Sequence, residues 1–124
     1  MDTQLFKAAY NESRNGCEYF TRHMFNSKMR YSDGVKTCAD IGCHWLLDII
    51  ATEVVPVVRK DPNGNLGIFY ANVLDGKADL RVELSDGVSS WDRHIEYTDM
   101  PDGKWTFYLA NEGGEIAMIL PNEY

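Results

Sequence analysis

Apolar positions along this chain change period once, near residue 53. Before it they recur at helical steps, and after it they alternate. Over residues 33–53 the apolar side chains fall at Val35, Cys38, Gly42, Trp45, Leu46 and Ile49, in steps of three, four or one. That spacing puts them on one stripe of a 3.6-residue helix. Ser32-Asp33-Gly34 can accept the unpaired N–H groups of a first turn, so the helix is expected to start there. The opposite face holds Asp40, His44 and Asp48, each one turn from the next. Residues 3–12, TQLFKAAYNE, predict a shorter helix with Thr3 as its cap and Phe6, Ala9 and Tyr10 on one side. Asn15-Gly16 marks a turn. Residues 17–30, CEYFTRHMFNSKMR, have aromatic and methionine side chains without a clean period and are expected to be irregular or partly extended.

Beyond residue 53 the period becomes two, and turn signals arrive every eight to twelve residues, as in an antiparallel meander. The expected strands are 54–60, 66–74, 78–85, 90–98, 104–110 and 115–120. Asp61-Pro62-Asn63-Gly64, Asp75-Gly76, Asp86-Gly87, Pro101-Asp102-Gly103 and Gly113-Gly114 supply the turns. Ala78, Leu80, Val82 and Leu84 alternate with Asp79, Arg81 and Glu83, giving one dry and one wet face. Pro56 lacks a ladder donor, which restricts 54–60 to an edge. The pattern predicts an α+β fold: an antiparallel sheet of about five to six strands with one or two N-terminal helices packed on one face. With 124 residues and no repeat or linker, 1–124 is expected to be a single domain.

Charge narrows the range of partners. The net charge is −7, and the excess lies in residues 54–124, where twelve acids face six bases. Such a surface repels phosphate and disfavours direct nucleic-acid binding, while it suits basic proteins, including those that hold nucleic acid. The opening residues show neither a basic flank nor an apolar run of a secretory signal, and no window reaches the roughly 18 unbroken apolar residues of a membrane span. A cytoplasmic protein that does not cross a membrane is expected. Cys17, Cys38 and Cys43 cannot all pair, and reduced, buried thiols are expected.

Asp40, His44 and Asp48 could converge on a metal, with His23 or Cys43 supplying a further ligand, although Cys43 lies off their line. A solvated row of carboxylate–imidazole contacts is the simpler expectation, so no metal or cofactor is expected. Cys43 beside His44 does not make a nucleophile–base pair, because consecutive helical residues point about 100° apart. Asp61, Asn63 and Asn65 mimic the opening of a calcium loop, but Leu66 stands where glycine is required and Asn72 where glutamate is. Tyr31, Asp33, Tyr97 and Asp99 place aromatic and carboxylate groups at element boundaries. With Trp91 as an aromatic anchor, they are the expected partner-binding residues.

Three blocks carry a resemblance. They are Tyr31-Ser32-Asp33-Gly34-Val35 with Ala39-Asp40, Gly42, Trp45-Leu46-Leu47-Asp48 and Ile50; then Ile95, Tyr97-Thr98-Asp99 and Pro101; and finally Leu120-Pro121-Asn122-Glu123-Tyr124. In this order they resemble the bacterial and phage family catalogued as domain of unknown function 6876, as does the Arg22-His23 pair. Cys43-His44 departs from that pattern, where a small residue and an aromatic would stand. The resemblance implies a shared fold and a bacterial or phage setting, with no reaction attached. Lys104-Trp105-Thr106-Phe107-Tyr108 followed by Gly113-Gly114 is more loosely similar to the C-terminal region of antirestriction proteins of the ArdB type.

These readings predict a small, acidic, non-enzymatic accessory protein of a phage or mobile element. It would act by binding another protein, with a host nucleic-acid defence complex such as a CRISPR effector or restriction enzyme as the expected target. The alternative is a small metal-dependent enzyme that uses His23 and the Asp40–His44–Asp48 face. An acidic face and an apolar edge strand leave homodimerisation open.

Overall fold

Helical periodicity does not stop at residue 53. The computed structural model describes residues 1–11, 19–61, 64, 66–84 and 89–124. The expected turns at Asn15-Gly16 and Asp86-Gly87, together with Cys17, Pro62, Asn63, Asn65 and the end of the strand expected over 78–85, lie outside the described residues. In chain order the elements are α1 (Thr3–Asn11), β1 (Phe20–Arg22), β2 (Met29–Ser32), α2 (Asp33–Arg59), β3 (Leu66–Leu74), β4 (Lys77–Glu83), β5 (Ser89–Ile95), β6 (Gly103–Glu112) and β7 (Glu115–Ile119). A single 3-10 turn, Pro121–Glu123, comes last.

Residues 54–60, expected as an edge strand, form the last turns of α2. Leu46, Ile50, Val54 and Val58 fall at four-residue steps and are all buried, so the core stripe runs straight through the expected boundary. Pro56 stands at the start of the final α-helical segment, Val55–Arg59, just after a wider π turn over Ile50–Val54. Proline is tolerated there because the regular i→i−4 ladder is already interrupted and its ring faces solvent. A second π turn, Ala39–Cys43, contains Gly42 at φ 148°, a conformation that glycine adopts readily and that kinks the helix. At 27 residues α2 is long and apolar enough to cross a membrane, which a helix ending at residue 53 was not expected to be. Its apolar stripe is packed against the sheet. In α1 the first-turn donors Leu5 N and Phe6 N bond the carboxylate and carbonyl of Asp2, so Asp2 takes the capping role expected of Thr3.

The described strands make one seven-stranded sheet in the order β1-β2-β7-β6-β3-β4-β5. It is mixed, where an antiparallel sheet of five to six strands was expected. β2 runs parallel to β7, with Met29 opposite Ile116 and Tyr31 opposite Met118, and the other neighbours are antiparallel. The two extra strands come from the segment without a period. At three and four residues they are too short to show an alternation.

One sheet face carries Phe69, Ala71, Leu80, Val82, Trp105, Phe107, Leu109, Ile116 and Met118, all buried with the α2 stripe in a single core. Burial of each large side chain contributes about 1.5–3 kcal/mol. α1 joins this layer through Phe6, whose ring meets Trp105 edge-on at 4.9 Å. β7 reaches only as far as Tyr108 along β6. At the bare stretch beyond, the Tyr10 hydroxyl takes the ladder's place, donating to Thr106 O and accepting from Thr106 N, each at 3.0 Å.

Candidate functional site

The β1–β2 hairpin at one end of the sheet is tied to α2 from below and to β7 from the side. Asn26 Nδ2 donates to Ala51 O at 2.9 Å. Five residues on from Ala51 stands Pro56, which has no N–H, so Asn26 supplies a donor that the π turn cannot. Arg22 bonds Glu115 at 2.8 Å and the Ser27 carbonyl, and the Arg22 guanidinium holds the Glu115 carboxyl below its ordinary range. Arg30 pairs with Glu112 at 3.1 Å and lies over the Phe20 ring at 5.0 Å.

His23 is the pin of the hairpin. Only 7% exposed, it sets Nε2 at 2.9 Å from Asp48 Oδ1, and its Nδ1 accepts from Phe25 N at 3.1 Å. Because Nδ1 accepts, the ring proton sits on Nε2 and is donated to Asp48. With the imidazole buried, the residues after it turn outward: Met24 is 85% exposed and Phe25 77%. Tyr19 and Phe20, where the hairpin's first strand begins, are also exposed.

Under the hairpin tip lies a recess of about 260 Å³ lined by His23, Met24, Phe25, Tyr31, His44, Leu47 and Asp48. Three of the four candidates for metal ligation, His23, His44 and Asp48, therefore meet here. Asp40 joins only through His44, whose Nε2 lies 2.7 Å from Asp40 Oδ1. Lys36 takes the other Asp40 oxygen at 2.7 Å and is the main reason that the carboxyl lies below its usual range, with His44 adding to the effect. Among the described residues no three His, Cys, Asp or Glu side chains are placed to share a metal ion. Both His23 nitrogens are engaged, so the ring cannot accept a proton at this recess without releasing Phe25. Cys38 and Cys43 are free and buried, and burial pushes each thiol up to about 12. Cys43 donates to Cys38 O at 3.4 Å and faces the core, as its position off the Asp40–His44–Asp48 line predicts.

The expected partner-binding residues are not gathered in one place. Tyr31 and Asp33 stand at the β2–α2 junction, Tyr31 as a recess wall and Asp33 exposed in the first helical turn. Trp91, Tyr97 and Asp99 lie on β5 and the segment after it, with four strands between β2 and β5. Trp91 is not an exposed anchor: its ring lies 6.2 Å from Phe69, half-buried against the core. Tyr97 is 84% exposed, whereas Asp99 pairs with the terminal amine of Met1 at 2.7 Å. Met24 and Phe25, the two most exposed apolar side chains of the hairpin, are not among the expected residues. Their signal was the lack of any period in an aromatic-rich stretch, which leaves apolar side chains with no face to bury.

The blocks that carry the family resemblance hold the frame together. Ser32 Oγ caps α2 by accepting from Val35 N at 3.1 Å and donates at 2.5 Å to the buried Glu123, which also accepts from Leu120 N. The first block and the last therefore meet in one hydrogen-bonded cluster. In the middle block Thr98 N bonds Gly76 O at 2.7 Å, and Pro101 O receives Trp105 Nε1 at 2.8 Å. No curated protein and no solved structure matches the chain. The sequence model of a family of unknown function (DUF6876) matches residues 7–124, nearly the whole length, and the chain belongs to that family.

Proposed function

We propose that this chain is a non-enzymatic, cytoplasmic protein-binding module of a phage or mobile element, and that its contact surface is the β1–β2 hairpin with the recess beneath it. The observation that carries this reading is the exposure of Tyr19, Phe20, Met24 and Phe25 together on one rigidly pinned hairpin. Large exposed aromatic and methionine side chains of this kind are typical of interaction sites. The net charge of −7 favours a partner with a basic surface, as nucleic-acid-handling proteins have, and a host defence complex such as a CRISPR effector or restriction enzyme is the proposed target class.

The test is affinity capture from a bacterial lysate with the tagged chain, a Met24→Ser/Phe25→Ser variant and an Asp92→Ala/His94→Ala variant at the far sheet edge. Mass spectrometry and elemental analysis are run on the same samples. The expected result is one stoichiometric partner that the hairpin variant loses and the far-edge variant keeps. A partner kept by the hairpin variant, or one equivalent of metal with no partner, contradicts the reading and favours the metal-enzyme alternative in the second case.

A further inference from the structure

The recess says more about the partner than the hairpin does, and its occupant is argued on the reading that the hairpin binds a protein. We infer that the recess receives an arginine side chain of the partner protein. Its volume of about 260 Å³ is below the roughly 300–1,000 Å³ of small-molecule and cofactor sites and suits one long side chain. Its apolar walls, Met24, Phe25, Tyr31 and Leu47, offer cover for a methylene stem, and two of them carry aromatic rings, the side chains that attract a flat cation.

The charge comes from Asp48. Oδ1 receives the His23 Nε2 proton at 2.9 Å, while Oδ2 takes no hydrogen bond from the described residues and the side chain is more than half exposed. On the same helix, Lys36 and His44 are both turned to Asp40 instead, each at 2.7 Å. His23 acts as a positioning residue, since one ring fixes the Asp48 carboxylate through Nε2 and the Phe25 backbone through Nδ1. Carboxylate and aromatic wall are thus set by the same imidazole.

An anionic group would be repelled by Asp48, and a purely apolar one would desolvate its carboxylate without a partner. Between the two cationic side chains, the guanidinium matches better. It pairs with a carboxylate oxygen and stacks on a ring at the same time, whereas an ammonium prefers its hydration shell.

The experiment titrates isotopically labelled protein with n-butylguanidinium, n-butylammonium and n-pentanol, monitored by NMR at the Met24 and Leu47 methyls and the Phe25 amide. It is repeated on Asp48→Asn, which keeps the volume and can still accept from His23. The expected result is saturable binding of n-butylguanidinium, at least tenfold weaker in Asp48→Asn and stronger than that of the other two probes. Absence of saturation, equal binding by Asp48→Asn, or equal binding of n-pentanol or n-butylammonium overturns the inference. No partner is needed, so the arginine site can fail here while the hairpin reading stands on its own capture test.

Discussion

At β1 the sheet ends in a three-residue strand that begins at exposed Phe20, with Tyr19 before it and Met24 and Phe25 after it also exposed, whereas at β5 it ends in a seven-residue strand exposing Ser89, Ser90, Asp92, Arg93 and His94. Each edge has a histidine paired with an aspartate, but the pairs do different work. His94 bridges Asp79 at 2.6 Å and Glu96 at 2.9 Å in solvent, and Arg93 reaches across to Glu53 on α2. These charges make β5 a poor template for another strand. His23 is buried, and its aspartate bond holds a hairpin that presents apolar side chains outward. One edge carries charges that disfavour strand addition, and the other exposes apolar side chains.

The largest expected effect falls on binding. Met24→Ser/Phe25→Ser should weaken the captured partner by about 30-fold or more, the loss of about 2 kcal/mol that defines an interface hot spot. Calorimetric titration should show no comparable loss for Asp92→Ala/His94→Ala, and equal losses at the two edges would break the comparison. The next effect is on stability. His23→Ala removes the buried partner of both Asp48 and Phe25 N and should cost about 1–2 kcal/mol in urea unfolding. His94→Ala, at an exposed site, should move the midpoint much less than His23→Ala does.

The smallest effects are of pH, and they run in opposite directions at the two edges. The hydrogen bond that His94 donates to Asp79 raises the His94 ionisation above its ordinary value of 6.5, with Glu96 adding to it. Its stabilising share is therefore complete below 6.5 and disappears as pH rises through the raised value. Arg22 lowers Glu115 below its ordinary 4.5, so that share is complete above 4.5 and is lost as pH falls through the lowered value. Both groups are exposed, and salt should shrink both contributions. NMR titration should find the His94 midpoint lower in Asp79→Asn and the Glu115 midpoint higher in Arg22→Gln; an unmoved midpoint would mean that the corresponding ion pair contributes nothing.

The same contrast explains what was legible in the sequence. The strand 66–74 was read to the residue, because Gly67, Phe69, Ala71 and Val73 alternate cleanly with half-exposed neighbours. The start of α2 was legible in its Ser32 cap. Its end was not, because Pro56 and four β-branched valines suggested a strand while the four-residue spacing of Leu46, Ile50, Val54 and Val58 pointed to helix. Tertiary burial along that stripe won. The edge β1–β2 was illegible for a different reason: β2 is held by parallel pairing with β7, nearly ninety residues away in sequence, and no local period records such a contact. Within the site, His44 and Asp48 were visible as a helix face, but that His23 would fold onto Asp48 depended on the same long-range pairing.

Amide hydrogen exchange on the captured complex, set against the free chain, tests most directly whether the hairpin edge is the binding surface. Binding there predicts slower exchange over residues 19–31 and in α2 around Asp48, with residues 89–95 unchanged. Protection that falls on residues 89–95 and spares the hairpin would contradict it.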